Sequence, residues 1–325
     1  MNDFLFSILA WIQSWVGSWG WSMVVFTILV RLVLTPFDIK SRVSMRKTQK
    51  LQPQQMALQK KYANDKEKLN AKLAELYKKE HINPLSSCLP LLLTWPVIIA
   101  VFAAMRMVAN KELLMQLTQI LNNEMPTLER WLWIKNLWMP DSPFATYMPD
   151  VQSLQLVDYQ VWNDVSAKLA AAGTIPQALS FVDRNAMMAY ITDVVTPFIA
   201  SDVYAPYIAP VAGLGNLSIL GLIRFTIYQH GNGWFVLPIL SVVTQIIMQN
   251  MTMKQTMQAN PQAGSQKTML YVMTFMSLYF CAIYNSAFAL YWVVSNIYAL
   301  VENIAFDRYF KAQDRKAAKA EEVGI

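Results

Sequence analysis

Five stretches of the chain stay apolar long enough to cross a bilayer: residues 20–39, 85–106, 233–253, 268–283 and 286–306. A crossing takes about 20 such residues, because a helix rises about 1.5 Å per residue through about 30 Å of hydrocarbon. The fourth stretch is short, a mismatch that small tilt or snorkelling flanks absorb. Outside these runs the period changes. Phe4, Ile8, Trp11, Ile12 and Trp15 recur at helical spacing opposite Ser7, Gln13 and Ser14. That pattern predicts an amphipathic helix over 1–19 lying in the external interface. Between the first two runs, Asn64 and Glu67 read as a capping-box start, and Leu69, Leu73, Leu76 and Tyr77 form one apolar stripe. Pro53 breaks or restarts the helix ahead of them. Residues 40–84 therefore predict a helical hairpin standing in water. The expected fold class is all-α: a polytopic membrane protein with five transmembrane helices, an N-terminal interfacial amphipathic helix and a cytoplasmic helical hairpin.

Charge fixes the expected orientation. The hairpin, with Asp38 at its head, carries twelve Lys/Arg against five acids. The loop 107–232 is the reverse, with six Lys/Arg (Lys111, Arg130, Lys135, Lys168, Arg184, Arg224) against ten acids. The connection 254–267 holds Lys254 and Lys267 and no acid, and the tail 307–325 holds Arg308, Lys311, Arg315, Lys316 and Lys319. Basic segments stay in the cytoplasm. Five spans with the N-terminus outside place all three basic segments inside and the acidic loop outside. Residues 203–225 tempt a sixth span, but Pro206, Pro210, Gly213 and Gly215 interrupt them, and a sixth crossing would turn both later basic segments outward. They read as an external or interfacial excursion.

Composition agrees. The chain is 55% hydrophobic and 15% charged, with a mean hydropathy of +0.27, eleven Trp and nineteen Met. The net charge of +6 alone could suggest nucleic acid. No basic, aromatic-interleaved module supports DNA as a partner. Cys88 and Cys281 lack metal or redox spacing, and the topology puts them at opposite ends of their spans, so they read as packing residues. No metal and no cofactor is expected. No cleavable signal is expected either, since the N-terminus lacks a basic region.

One residue breaks the hydrocarbon pattern. Arg31 lies between Ile28-Leu29-Val30 and Leu32-Val33-Leu34. Counted from the outer boundary it falls roughly 16 Å in, with Gln245 at about 18 Å, Asn296 at about 15 Å and Thr94 at a similar level. Each polar neighbour has a plain structural reading: Thr94 can bond its own backbone, and Gln245 and Asn296 can join helices. An intramembrane Arg costs from about 3 to above 10 kcal/mol and faces protein or water. The candidate ion-pair partner is Glu302, at roughly 24 Å, about 8 Å nearer the cytoplasm. A water-filled cavity with Arg31 as its positive pole fits better.

The residues that carry this pattern also carry a resemblance. GWSMVVFTILVRLVLTPFDIK (20–40), the segment 51–102, WIKNLWMPD (133–141), WFVLPILSVVTQIIMQNM (234–251) and ALYWVVSNIYALVEN (289–303) resemble the YidC-type membrane protein insertases of the YidC/Oxa/Alb family. The resemblance implies a core of five spans and a cytoplasmic hairpin, and a hydrophilic groove holding the arginine that matches Arg31. The candidate groove residues are Arg31, Thr94, Gln245, Asn296 and Trp292, and the candidate hairpin contacts are Lys66, Lys68 and Lys72. There are departures. Thr94 stands where the family usually has Gln, Tyr284-Asn285-Ser286-Ala287 replaces a Pro-Ser/Ala-Gly turn, and 140–231 is a long external insertion. A lipoprotein cysteine near the N-terminus and a large domain ahead of the first span are also absent from the pattern.

The reading is an insertase without catalytic chemistry, taking nascent membrane proteins into the lipid bilayer. The ribosome and a Sec translocon stand as candidate partners. No G-x-x-x-x-G-K-S/T motif is visible, so energy comes from partitioning or the membrane potential. The rival readings are a secondary transporter or channel, which would want paired intramembrane charges or a repeat, and an adaptor acting through its hairpin, which leaves Arg31 unexplained.

Overall fold

Each apolar run, as far as it is described, is helical apart from the turn at 233–235 in the computed structural model, which describes residues 2–80, 89–213, 217–219, 223–257 and 264–323. The order begins α1 (Asn2–Val16), α2 (Trp19–Lys50), α3 (Gln52–Lys61), α4 (Lys66–Lys79) and α5 (Leu89–Leu121). The insertion then contributes α6 (Val151–Gln155), α7 (Tyr159–Ala171), α8 (Arg184–Tyr190) and α9 (Thr196–Ile199), the last two joined by a π-helical turn. A two-stranded antiparallel ribbon, β1 (Leu217–Ile219) with β2 (Ile223–Phe225), precedes α10 (Val236–Met257), α11 (Gly264–Ile283) and α12 (Ser286–Val323). The architecture is all-α apart from that ribbon. Trp19–Thr48 and Ser286–Lys316 are long and apolar enough to cross a membrane; Phe4–Val16, Val236–Met251 and Tyr271–Ile283 are shorter apolar helices. The described residues of 203–225 hold only a short turn and the ribbon, with no helix of spanning length.

Three helices overrun their apolar runs. α2 has 32 residues, α5 33 and α12 38, or about 48 to 57 Å at 1.5 Å per residue. Polar Lys, Arg and Gln are good helix formers, so nothing stops α2 until Pro53 starts α3. Residues 40–50 therefore continue α2, and the two shorter helices begin only at Gln52. The cap of α4 corrects the sequence reading: it is Asp65, not Asn64, whose carboxylate accepts from the Lys68 amide at 3.0 Å. The expected stripe Leu69, Leu73, Leu76 and Tyr77 is half-buried. In α1, Leu9 and Ile12 are buried while Phe4, Trp11 and Trp15 face outward. That helix is apolar on two sides rather than on one stripe.

The chain divides into two compact units, the first comprising 1–26, 100–242 and 276–294, the second 27–99, 243–275 and 295–325. The core of the first is built on the end of α5. Leu113, Leu114, Leu117 and Ile120 pack with Leu154, Trp162, Leu169, Met187, Ile191 and Val195 of the insertion, at the spacing of one helical face. The Tyr204 hydroxyl donates to the Ile120 and Glu124 carbonyls at 3.3 and 2.7 Å, tying the insertion to the end of α5 and the turn that follows it.

Acids that read as loop charge turn out to be helix caps. Asp150, Asp158 and Asp183 cap α6, α7 and α8. Glu129 accepts from Ser18 Oγ at 3.1 Å and from the Trp19 amide at 2.9 Å, which caps α2 from 110 residues away. Fully buried Asp141 accepts from the Leu237 amide at 2.7 Å, the Trp234 amide at 3.0 Å and Trp133 Nε1 at 3.2 Å, which caps α10. Five of the ten acids in 107–232 thus satisfy orphan amides and oppose the positive helix ends.

Beside Asp141 the two ends of the insertion are clasped. Asn232 Nδ2 donates to the carbonyls of Asn136, Met139 and Pro140 at 2.8 to 3.0 Å, and its Oδ1 accepts from the Asn136 amide at 2.8 Å. Asn136 Nδ2 donates to Gln116 Oε1 and to the Tyr147 carbonyl. The divergent turn docks here too: the Ser286 amide and hydroxyl donate to the Met139 carbonyl, and Asn285 Oδ1 accepts from the Phe288 amide.

Candidate functional site

The second unit holds a ladder of polar contacts between α2 and α12. Arg31, Thr35, Asp38, Arg42 and Arg46 recur along α2 at spacings of three and four, so they share one face that starts within the apolar run and continues into the polar end of the helix. Arg31 Nε donates to Ser295 Oγ at 2.6 Å, and Thr35 Oγ1 lies 2.8 Å from the Tyr298 hydroxyl. Arg42 bonds Asn303, pairs with Glu302 at 3.7 Å and lies over the Phe306 ring at 5.3 Å. Arg46 pairs with Asp314 and lies 4.3 Å over Phe310. Partner numbers rise together along both helices, so α2 and α12 run parallel.

Arg31 is half-buried, and no ion pair within 4.0 Å among the described residues includes it. Its fixed bond goes to a neutral serine. Glu302, the carboxylate that sequence depth made the candidate partner, is held by Arg42 instead, one helical stretch toward the basic end. Sequence reading missed Arg42, Ser295, Thr35 and Tyr298 as neighbours of this layer, and it counted Asp38 only as a loop acid. The spacing 31, 35, 38, 42 was the available signal.

Two more predicted residues join the layer. Asn296, beside Ser295 on α12, is buried and its Nδ2 lies 3.4 Å from Thr244 Oγ1 of α10. Gln245, next to Thr244, is buried, and its Oε1 has no hydrogen-bond partner among the described residues. Glu302 Oε1 is likewise buried without one. Buried polar atoms normally find a partner, so these two oxygens depart from the usual pattern. The side chain of Thr94 lies outside the described residues, as does Cys88. Trp292 belongs to the first unit, where its ring lies 5.7 Å from Phe288. Cys281 is a buried free thiol, as its packing role requires.

In the two-helix segment, Lys66 is exposed, Lys68 Nζ lies 5.9 Å above the Tyr62 ring, and Lys72 Nζ contacts Glu75 at 2.6 Å. The Glu75 carboxylate holds the Lys72 ammonium above the usual lysine range, and Lys72 holds Glu75 below the carboxylate range. Among the described residues no His/Cys/Asp/Glu group of metal-binding size occurs.

Two helices long and apolar enough to cross a membrane, one of them carrying a guanidinium, point to a membrane protein. The family described as 60Kd inner membrane protein matches residues 11–206 and 205–314, and the chain belongs to that family. Similar relatives carry the name membrane protein insertase YidC. That of Thioalkalivibrio sulfidiphilus is 47% identical over 98 residues, 30% of this chain and 18% of the relative. That of Helicobacter pylori is 37% identical over 140 residues, 43% and 23% of the two chains. That of Fusobacterium nucleatum is 40% identical over 106 residues, 33% and 52%. The matched stretches thus span between about a fifth and a half of those relatives' length.

Proposed function

We propose that the protein is an insertase of the bacterial cell membrane that moves polar flanks of nascent membrane proteins through a hydrophilic, positively charged groove. Arg31, Gln245, Asn296 and Thr94 line the groove, which opens to cytoplasm and lipid. Membership of a family whose members are named as insertases supports the activity. The observation that carries the groove is Arg31: a cation inside an apolar helix, bonded to a neutral serine, with no carboxylate within 4.0 Å among the described residues. Such a charge stays available to attract an acidic flank. Within a low-dielectric wall that attraction exceeds its value in bulk water, and the wet groove lowers the desolvation cost of crossing. The client's apolar segment leaves sideways into lipid by its own transfer energy.

Five crossings with the N-terminus outside and the C-terminus in the cytoplasm fit this reading. The parallel register of α2 and α12 supports them, because a sixth crossing between these helices would make the two antiparallel. External Glu129 and Asp141 at the starts of α2 and α10 fit as well, since both helices then begin outside. Photocrosslinkers at Arg31, Gln245 and Asn296 test the proposal during synthesis of a single-span client. Adducts to the nascent chain are expected from all three positions. Adducts from none of them, with the client still inserted, would remove the groove.

A further inference from the structure

Two turns of the first unit put a large apolar residue at positive φ, where Gly or Asn ordinarily stands, and each turn presents a large apolar side chain outward. Trp131 and Ile134 exchange backbone hydrogen bonds at 2.8 and 3.0 Å, closing a two-residue turn over Leu132 and Trp133. Such turns favour Asn-Gly because they need φ above zero. Here Leu132 adopts φ 49° and is 64% exposed. The second turn leads into α10, with Phe235 at φ 64° and Trp234 76% exposed. Strain in a non-glycine residue persists only where its surroundings impose it. The surroundings are visible. Asp141 binds Trp133 of the first turn and the Trp234 amide of the second, and a Cβ on Gly233 would collide with its carboxylate. Gly20 of α2 leaves room for the Trp131 ring, which also meets Trp21 and Trp133 edge-on at 5.5 and 5.7 Å.

We propose that Leu132 and Trp234 are anchors inserted into the headgroup layer of the outer leaflet, held in register by Asp141, so that a lipid surface is the partner of this face. The proposal rests on the membrane-spanning reading above. Each turn adjoins the start of an exposed apolar stripe. Trp21 meets the Trp131 turn at the start of the exposed α2 stripe Val25, Ile28, Leu29 and Leu32, and Trp234 precedes the exposed α10 stripe Ile239, Val243 and Ile246. Tryptophans gather where hydrocarbon meets headgroups. Exposed Arg130, two residues before Leu132, adds a cation suited to lipid phosphate.

The test uses the full chain in phosphatidylcholine–phosphatidylglycerol vesicles, with Cys88 and Cys281 replaced by Ala. Nitroxide labels are placed by Leu132→Cys and Trp234→Cys. References are Val33→Cys on the exposed face of α2 (70% exposed) and Val182→Cys in the insertion (86% exposed). Relaxation by oxygen and by a water-soluble nickel chelate reports depth. Oxygen-to-nickel ratios at Leu132 and Trp234 are expected between those of the references and well above that of Val182. Ratios equal to Val182 with Val33 still oxygen-rich would overturn the anchor alone. A nickel-accessible Val33 would overturn the spanning reading and the anchor with it.

Discussion

Two groups of buried amides and carboxylates, one in each unit, are treated differently. In the first, Asn136, Asn232, Gln116 and Asp141 are almost fully enclosed, and each side chain spends its donors and acceptors on named partners. In the second, Gln245 Oε1 and Glu302 Oε1 are buried with no hydrogen-bond partner among the described residues, and Arg31 is bonded to a serine rather than a carboxylate. A satisfied network is rigid and costly to break, while an unsatisfied one is poised to accept something else. The clasp fixes where the insertion leaves and re-enters, while the polar layer keeps two buried oxygens without a hydrogen-bond partner among the described residues.

The largest effect should follow from breaking the clasp. Asp141→Ala strands three donors in a buried place and should lower stability by about 3 kcal/mol or more, while Asp141→Asn, which keeps one of the two acceptor oxygens and sets an amide donor against the other partner, should lose less, about 2 kcal/mol. Thermal unfolding in detergent measures both. In the polar layer the same treatment should do little: Gln245→Leu should change stability by less than about 1 kcal/mol, since its oxygen has no partner to lose. Insertion by that variant should nevertheless fall several-fold. Equal stability losses for Asp141→Ala and Gln245→Leu would erase the distinction between the units.

These residues also show what the sequence could and could not reveal. Long apolar runs made the helices legible, and Arg31 stood out because its six neighbours are all hydrocarbon. The Arg42–Glu302 pair was missed because depth along separate helices does not say which faces meet. Asp141 and Glu129 read as topological charge, since a cap contributed from about a hundred residues away leaves no local pattern. Asn64 reads as a cap because it precedes Glu67 by three, but Asp65 is the stronger acceptor and sits one residue nearer the helix. The overrun of α2 past residue 39 was hidden because polarity ends a membrane span without ending a helix.

Smaller effects sharpen the picture at the surfaces. Neutralising Lys66, Lys68 and Lys72 together should leave orientation intact yet weaken ribosome co-sedimentation by several-fold and make its salt dependence shallower. Unchanged co-sedimentation across a salt series would leave them as a solvated face. In the first unit, burial pushes the Glu112 carboxyl above its usual range; Lys111 opposes the shift and Glu129 adds to it. The folded protein then holds that proton more tightly than the unfolded chain. The stability it lends is present below the ordinary carboxylate pKa and is lost as pH rises through the raised one. Glu112→Gln should flatten this slope and raise stability slightly at neutral pH, as unfolding midpoints across a pH series would show.

The central claim is that the Arg31 charge acts on the client's polar flank, and reversing both charges tests it most directly. Insertion of a single-span client is measured with an acidic or a basic translocated flank, in the parent protein and in Arg31→Lys, Arg31→Ala and Arg31→Glu. Lysine should retain much of the activity toward the acidic flank, because a point charge suffices without bidentate geometry. Alanine should lower it several-fold, and glutamate should lower it further while favouring the basic flank. Arg31→Glu inserting the acidic-flanked client as well as the parent would contradict the account.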